Sequence, residues 1–252
     1  MNKDKLIARR EFLTANTWLT YDYTKSAQAK GAAKPADQKP AKSDQEIINL
    51  PEFSDDILEN SNILDLIKNR KTQRQYTDQA LSMRELSFLV WATQGLRNKS
   101  DKTASRTVPS GGNRHSFETY LAINRVEGLA PGIYRYLPFE HALILEQEFS
   151  DPVELQEKMK EAAKGQLFFA KAAVGFIWTT LPYRTEWRYS ENAAKMIAQD
   201  SGHICQNLYL AAEAIGCGTC AIGAYSQKDA DNLVSVDGKD ELVIYMAPIG
   251  KV

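Results

Sequence analysis

Three stretches that lie far apart in the chain carry the residue types that a phosphate group needs. Arg70, Thr72 and Arg74, within Arg70-Lys71-Thr72-Gln73-Arg74, offer two guanidinium forks and a hydroxyl. Pro109-Ser110-Gly111-Gly112-Asn113 forms a polar loop in which Pro109 fixes one backbone angle. Gly111 and Gly112 allow main-chain amides to approach a ligand closely, and Asn113, Arg114 and His115 add donors and acceptors. Lys251 supplies a third cationic position near the end of the chain. If the three converge, they make a pocket for a dianionic phosphate joined to a polar ring system. Each also has a plainer account: cations after a helix complement its dipole, and a loop of this composition is commonly a turn.

Other chemistry is suggested and argued down. Cys217 and Cys220 form a C-x-x-C, compatible with a redox pair or half a zinc site. A redox pair of that kind opens a helix after a strand, whereas this one follows a helix. His203 and Cys205, two apart on a helix, point to roughly opposite sides, so no metal site is expected. His115 and His203 are candidate general bases, yet no nucleophile and orienting carboxylate accompany them in a recognisable pattern. Gly216-Cys217-Gly218-Thr219-Cys220-Ala221 satisfies a relaxed dinucleotide fingerprint in the wrong context, again after a helix. The phosphate-binding pattern G-x-x-x-x-G-K-S/T does not occur.

The elements that must position these residues follow from pattern. Lys3 to Leu13 predicts a short charged helix, and Lys25 to Ser43, rich in Ala, Lys, Pro and Gln, predicts a disordered or extended arm. A helix starts near Asn62 with Ile63, Leu64, Leu66 and Ile67. Ser82-Met83-Arg84-Glu85 is a capping box that opens a helix carrying Leu86, Leu89, Val90 and Ala92, with Gly95 as terminator. Strands are expected after the polar loop as far as Asn124, at Gly132 to Tyr136, at Ala142 to Leu145, at Ala172 to Thr180 and at Leu242 to Ile249. Asp151-Pro152-Val153-Glu154 starts another helix, and Ser226 can cap a short one through Leu233. The longest helical signal, Asn192 to Ile215, sets Ile197, Ile204, Leu208, Ala211 and Ile215 on one face and Ala198, Gly202 and Ala212 on a second. Strands interleaved with helices imply an α+β or α/β sandwich.

At 252 residues, 43% hydrophobic and 25% charged, the chain suits one large domain with an added arm, drawn at residues 1–45 and 46–252. A net charge of -1 leaves no global field for nucleic acid or an anionic membrane. No apolar run reaches the ~20 residues that span a bilayer. Arg9-Arg10 is followed by too polar a segment for an export signal, and three cysteines fit a reducing compartment, so a cytoplasmic protein is expected.

The same residues resemble the nitroreductase superfamily of FMN enzymes, from Ile63 to the C-terminus. Arg70-Lys71-Thr72-Gln73-Arg74 is similar to that superfamily's Arg-x-Ser-x-Arg motif, with threonine keeping the hydroxyl. Leu81 to Gly95 (Leu-Ser-x-x-Glu-Leu-Ser-x-Leu-x-Trp-Ala-x-Gln-Gly) and Pro109 to His115 resemble its SagB/ThcOx-type dehydrogenase branch. The resemblance implies an α+β fold: a four- or five-stranded, mostly antiparallel sheet flanked by helices, in a homodimer with the Asn192 to Ile215 helix at the interface. It implies FMN phosphate and ribityl contacts at Arg70, Thr72 and Arg74, and ring contacts at Pro109, Ser110, Gly111 and Asn113. Gly216, Gly218, Ile222 and Gly223 would pass close to the ring, and Lys251 would lie near the phosphate. Tyr183, Arg184, Trp187 and Arg188 form an aromatic and cationic cluster suited to a planar anion or to a partner surface. The implied function is two-electron transfer through flavin, with NAD(P)H as reductant and a nitroaromatic, quinone or similar small molecule as acceptor. Oxidation of azolines on a peptide, and flavin binding or flavin modification without redox turnover, are the alternatives.

Overall fold

In a computed structural model, residues 3–97 and 105–252 are described; the first two residues of the arm lie outside them. The helices are α1 (Lys3–Arg10), α2 (Ile63–Asn69), α3 (Met83–Gln94), α4 (Pro152–Ala162), α5 (Leu167–Ala170), α6 (Tyr183–Tyr189), α7 (Ala193–Ala214) and α8 (Gln227–Leu233). The strands are β1 (Ile47–Asn49), β2 (Phe117–Ile123), β3 (Gly132–Leu137), β4 (Ala142–Glu148), β5 (Val174–Thr180), β6 (Cys217–Thr219) and β7 (Leu242–Lys251). They form one seven-stranded sheet in the order β1-β4-β3-β2-β5-β7-β6, antiparallel at every pairing. The sheet is thus larger than the four or five strands expected. The additions are the two three-residue edges, β1 and β6, too short to show an alternating pattern.

Alternation along the central strands divides the core into two. Phe117, Leu121 and Ile123 of β2 point with Phe176 and Trp178 of β5 toward α3 and α7. Tyr120 and Ala122 point with Ile177 toward α4, α5 and α8. The fold is therefore an α+β sandwich with helices on both faces. Local signals set the helix starts. Ser82 and Glu85 make both halves of the capping box, and Asp151 accepts the Val153 amide ahead of Pro152. The face of α7 that carries Ile197, Ile204, Leu208, Ala211 and Ile215 is buried. Of its small residues, Gly202 is open to solvent while Ala212 is fully buried.

The stretch Lys25 to Ser43 lies on its own chain, in hydrogen-bonded turns as far as Gly31 and without helix or strand after it. Arg106 Nη2 donates to the Asp37 carbonyl at 2.6 Å, and Arg135 donates to the carbonyls of Lys39 at 2.6 Å and Pro40 at 3.0 Å. Both arginines are buried, so the arm supplies acceptors that the domain interior lacks.

Candidate functional site

Residues 70–77 run across the ends of β6 and β7. Gln73 N donates to Thr219 O at 2.9 Å, and Thr77 N donates to Lys251 O at 2.9 Å. The approach is close enough that a Cβ on Gly218 would stand 2.6 Å from Gln73 Cβ, so only glycine fits there. This explains part of the glycine-rich segment: Gly218 lies in a strand edge under the arginine motif and is not part of a dinucleotide turn.

Tyr209 of α7 ties three pieces together. Its hydroxyl accepts the Ala221 amide at 2.9 Å and stands 3.2 Å from Thr72 Oγ1, while the Arg70 guanidinium lies 5.2 Å from its ring centroid. Arg74 lies 5.8 Å over the Phe168 ring and hydrogen-bonds the Cys220 thiol. Among the described residues, no carboxylate pairs with Arg70 or Arg74 within 4.0 Å. Thr219, whose backbone bridges to Thr72, has a buried hydroxyl without a partner.

The polar loop meets α7 nearer its start. Gly111 N donates to both Asp200 oxygens, at 3.3 and 3.2 Å, and the Ser110 hydroxyl bonds the same carboxylate. Burial pushes the Asp200 carboxyl up against those hydrogen bonds. Ser110 Oγ also accepts the His115 amide at 2.9 Å, and His115 Nε2 lies 2.7 Å from Asn113 Oδ1. Gly112, Asn113 and His115 all have positive φ, which concentrates backbone strain in this loop. Burial first, and then the charges of Arg106, Arg114, Arg184 and Arg97, push the His115 imidazole down to about 3. It is a neutral loop-forming residue and a poor base. From Asp200 to Tyr209, α7 rises about 14 Å, so one helix carries the loop and the arginine motif on a common rail.

Several expected site residues are placed otherwise. The Lys251 ammonium is taken by Glu85 Oε1 at 2.5 Å and the Ile215 carbonyl at 2.9 Å, and only its backbone faces the motif. Gly216 packs against the Glu59 carboxylate, Ile222 lies in the core beyond the sheet, and Gly223 is exposed with nothing near it. Of the aromatic and cationic cluster, Arg184 is buried with Glu118 at 2.5 Å and Trp187 donates to Ala32 O at 3.0 Å, so both are structural. Tyr183 borders a separate cavity of about 520 Å³ beneath the arm. Arg188 alone stays near the loop, with its guanidinium 5.4 Å from the Tyr189 ring centroid. The three cysteines are free and buried, and burial pushes Cys205 and Cys217 up to about 12, far from thiolate chemistry.

Asp200 and Tyr209 are absent from the sequence-based site. A signal existed for Asp200: it falls in the period of the Ile197, Ile204, Leu208, Ala211 stripe and is buried there, where a carboxylate needs a reason.

Comparison with known proteins gives concordant results. The family description "Nitroreductase family" matches residues 67–251. A protein of Methanocaldococcus jannaschii that carries the name nitroreductase is 29% identical over 206 residues, 81% of this chain and 96% of that one. A nitroreductase crystal structure from Ralstonia eutropha superposes with a TM-score of 0.64 at 22% identity, covering 84% of this chain and 92% of the other. A chain of the Escherichia coli microcin synthetase McbBCD complex, solved with truncated pro-MccB17 bound, superposes at 0.61 with 20% identity, covering 83% and 79%.

Proposed function

Because the chain belongs to the nitroreductase family, and is therefore an oxidoreductase enzyme, we propose that it binds FMN along α7 and transfers hydride from NAD(P)H to a nitroaromatic, quinone or similar conjugated acceptor. One observation carries the flavin assignment. Two guanidiniums without carboxylate partners, Arg70 and Arg74, flank the Thr72 hydroxyl on a frame that reaches the glycine loop through α7. Such a set suits a phosphate monoester joined to a polar chain.

In this assignment Arg70, Thr72 and Arg74 hold the phosphate and ribityl end. Pro109, Ser110, Gly111 and Asn113 border the ring, and Asp200 fixes the loop by accepting the Gly111 amide. When bound, FMN supplies reversible two-electron hydride chemistry. The protein's part is to position: burial keeps the His115 imidazole uncharged and the Cys217 thiol un-ionised, so neither adds a charge beside the loop or the strand edge.

A homodimer through the α7 side is supported by apolar surface. Ile63, Leu64 and Ile67 of α2 are 55%, 74% and 59% exposed. They lie on the short helix that borders a groove of about 410 Å³ lined by Leu58, Leu66, Phe88, Trp91, Leu210 and Ala214. A second copy would cover this face. Light scattering at monomer mass, with FMN bound, contradicts the dimer. The cytoplasmic expectation is kept on the three free thiols. Among the described residues no helix is long and apolar enough to cross a membrane.

The second candidate, azoline oxidation on a peptide, is favoured by Pro109 to His115, which resembles the SagB/ThcOx-type loop. The flavin assignment is tested by adding FMN to flavin-free protein. Saturable, stoichiometric binding that weakens in Arg74→Ala is expected, by ~1.5–3 kcal/mol for a charge-assisted contact. Failure to bind FMN, or equal affinity in the variant, contradicts it.

A further inference from the structure

A second pair of arginines stands at the opposite end of α7 from Arg70 and Arg74. Arg114 Nε donates to Gly112 O at 3.1 Å, and its guanidinium lies 5.2 Å from the Trp187 ring centroid. Arg188 lies over Tyr189, whose hydroxyl sits where a Cβ on Gly112 would be. Among the described residues neither guanidinium has a carboxylate within 4.0 Å. Their charges are felt mutually: after burial, with Asp37 opposing, Arg188 helps to hold the Arg114 pKa below its usual value. Asn192, which ends the turn after Arg188, is 4% exposed, and its Nδ2 is buried with no acceptor. Two guanidiniums without an anion thus lie on one side of the glycine loop, Arg114 bonded to Gly112 and Arg188 over the tyrosine that packs against it.

The turn that carries Arg188 is held in an unfavourable backbone state. Ser190 has φ 47 and ψ -127, a region that favours glycine. Contacts from the N-terminal segment bracket it on both sides. The Tyr21 hydroxyl donates to the Arg188 carbonyl, the Thr17 hydroxyl donates to Asn192 Oδ1, and Trp18 meets Tyr189 edge-on at 5.9 Å. Lys195 Nζ donates back to the carbonyls of Leu13 at 2.6 Å and Thr14 at 2.7 Å. Strain of this kind persists only where surrounding contacts impose it.

We propose that Arg114 and Arg188 form an anion clamp at the loop edge, held in place by residues 13–21, that selects conjugated ligands carrying a negative group. Two sources share that chemistry: a carboxylate on the electron acceptor, and the ribose phosphate that distinguishes NADPH from NADH. The clamp deepens the proposed function by naming its substrate class, but its binding step does not depend on flavin.

The test uses flavin-free protein and its tryptophan fluorescence, with Trp18 and Trp187 beside the clamp. Para-nitrobenzoate should quench with an affinity roughly tenfold better than neutral para-nitrobenzamide, as charge-assisted pairing implies. Arg114→Gln with Arg188→Gln should bring that ratio to about one, and Arg188→Lys with Arg114 intact should keep part of it. Tyr21→Phe and Trp18→Ala, which leave both arginines in the chain, should lower the ratio while FMN affinity stays as in the parent. Circular dichroism reports whether each variant is folded. With FMN and turnover restored, a preference for NADPH lost in the double variant assigns the clamp to the reductant, and a lost preference for nitrobenzoate assigns it to the acceptor. Equal binding of the two ligands by the parent protein, or an unchanged ratio in a folded double variant, overturns the proposal. Failure to bind FMN would overturn the flavin assignment and leave this ratio readable.

Discussion

The Tyr209 hydroxyl stands 3.2 Å from Thr72 Oγ1, across 137 residues of sequence, and also accepts the Ala221 amide. It joins α7 to the arginine motif and to the segment after β6. Tyr209→Phe keeps the ring under Arg70 and removes this junction. FMN affinity should fall by ~0.5–1.5 kcal/mol, the net worth of a neutral hydrogen bond. Fluorescence titration of flavin-free protein measures it, and an unchanged dissociation constant would show that the junction does not hold the site.

Glu118 is buried between Arg184 at 2.5 Å and Arg135 at 3.8 Å, and also accepts the Lys39 amide of the arm at 2.8 Å. Glu118→Gln leaves the buried Arg184 guanidinium without a carboxylate, while Arg135 keeps Glu146 at 2.7 Å. Stability should fall by ~3–5 kcal/mol, as for other broken buried pairs. The urea midpoint should drop with the slope unchanged. A midpoint equal to that of the parent would mean that Arg184 is balanced elsewhere.

His115 titrates near 6.5 when unfolded and about 3 when folded, chiefly through burial. The folded value is the depressed one, so the unfolded chain binds the proton first. The stability due to a neutral His115 is full above pH 6.5 and is lost as pH falls toward 3, by up to ~1.4 kcal/mol per pH unit. Urea midpoints at pH 7.5 and 5 should diverge more for the parent than for His115→Gln. Equal pH dependence would place His115 in water.

Cys217 and Cys205 should resist thiol reagents in the folded protein and react on unfolding, because burial holds both thiols up to about 12. Cys217→Ser should retain substantial turnover. Rapid labelling of native protein, coupled to loss of activity with flavin still bound, would give a cysteine a direct role.

What the chain disclosed in advance follows the range of the interactions. The capping box at Ser82 and Glu85, the Asp151-Pro152 start and the apolar stripe of α7 are local, and each is where the pattern puts it. The α6 helix follows Pro182 without a side-chain cap, and β6 is three residues with a glycine at its centre, so neither leaves a periodic signature. The resemblance puts Lys251 near the phosphate, while its ammonium pairs with Glu85, 166 residues away, which no local pattern signals. Arg184 was grouped with Arg188 by adjacency, yet consecutive helix turns send them to a buried carboxylate and to the loop edge. Ile63, Leu64 and Ile67 give α2 its helical pattern and are exposed, which no single-chain pattern can distinguish from burial against a partner.

The most direct test of the account is anaerobic mixing of FMN-loaded protein with NADH and, separately, NADPH, followed by flavin absorbance. The account predicts that at least one nucleotide bleaches the oxidised flavin band and that a quinone or nitroaromatic then restores it. A bound flavin that neither nucleotide reduces, while an azoline-containing peptide does, would contradict the reductase assignment.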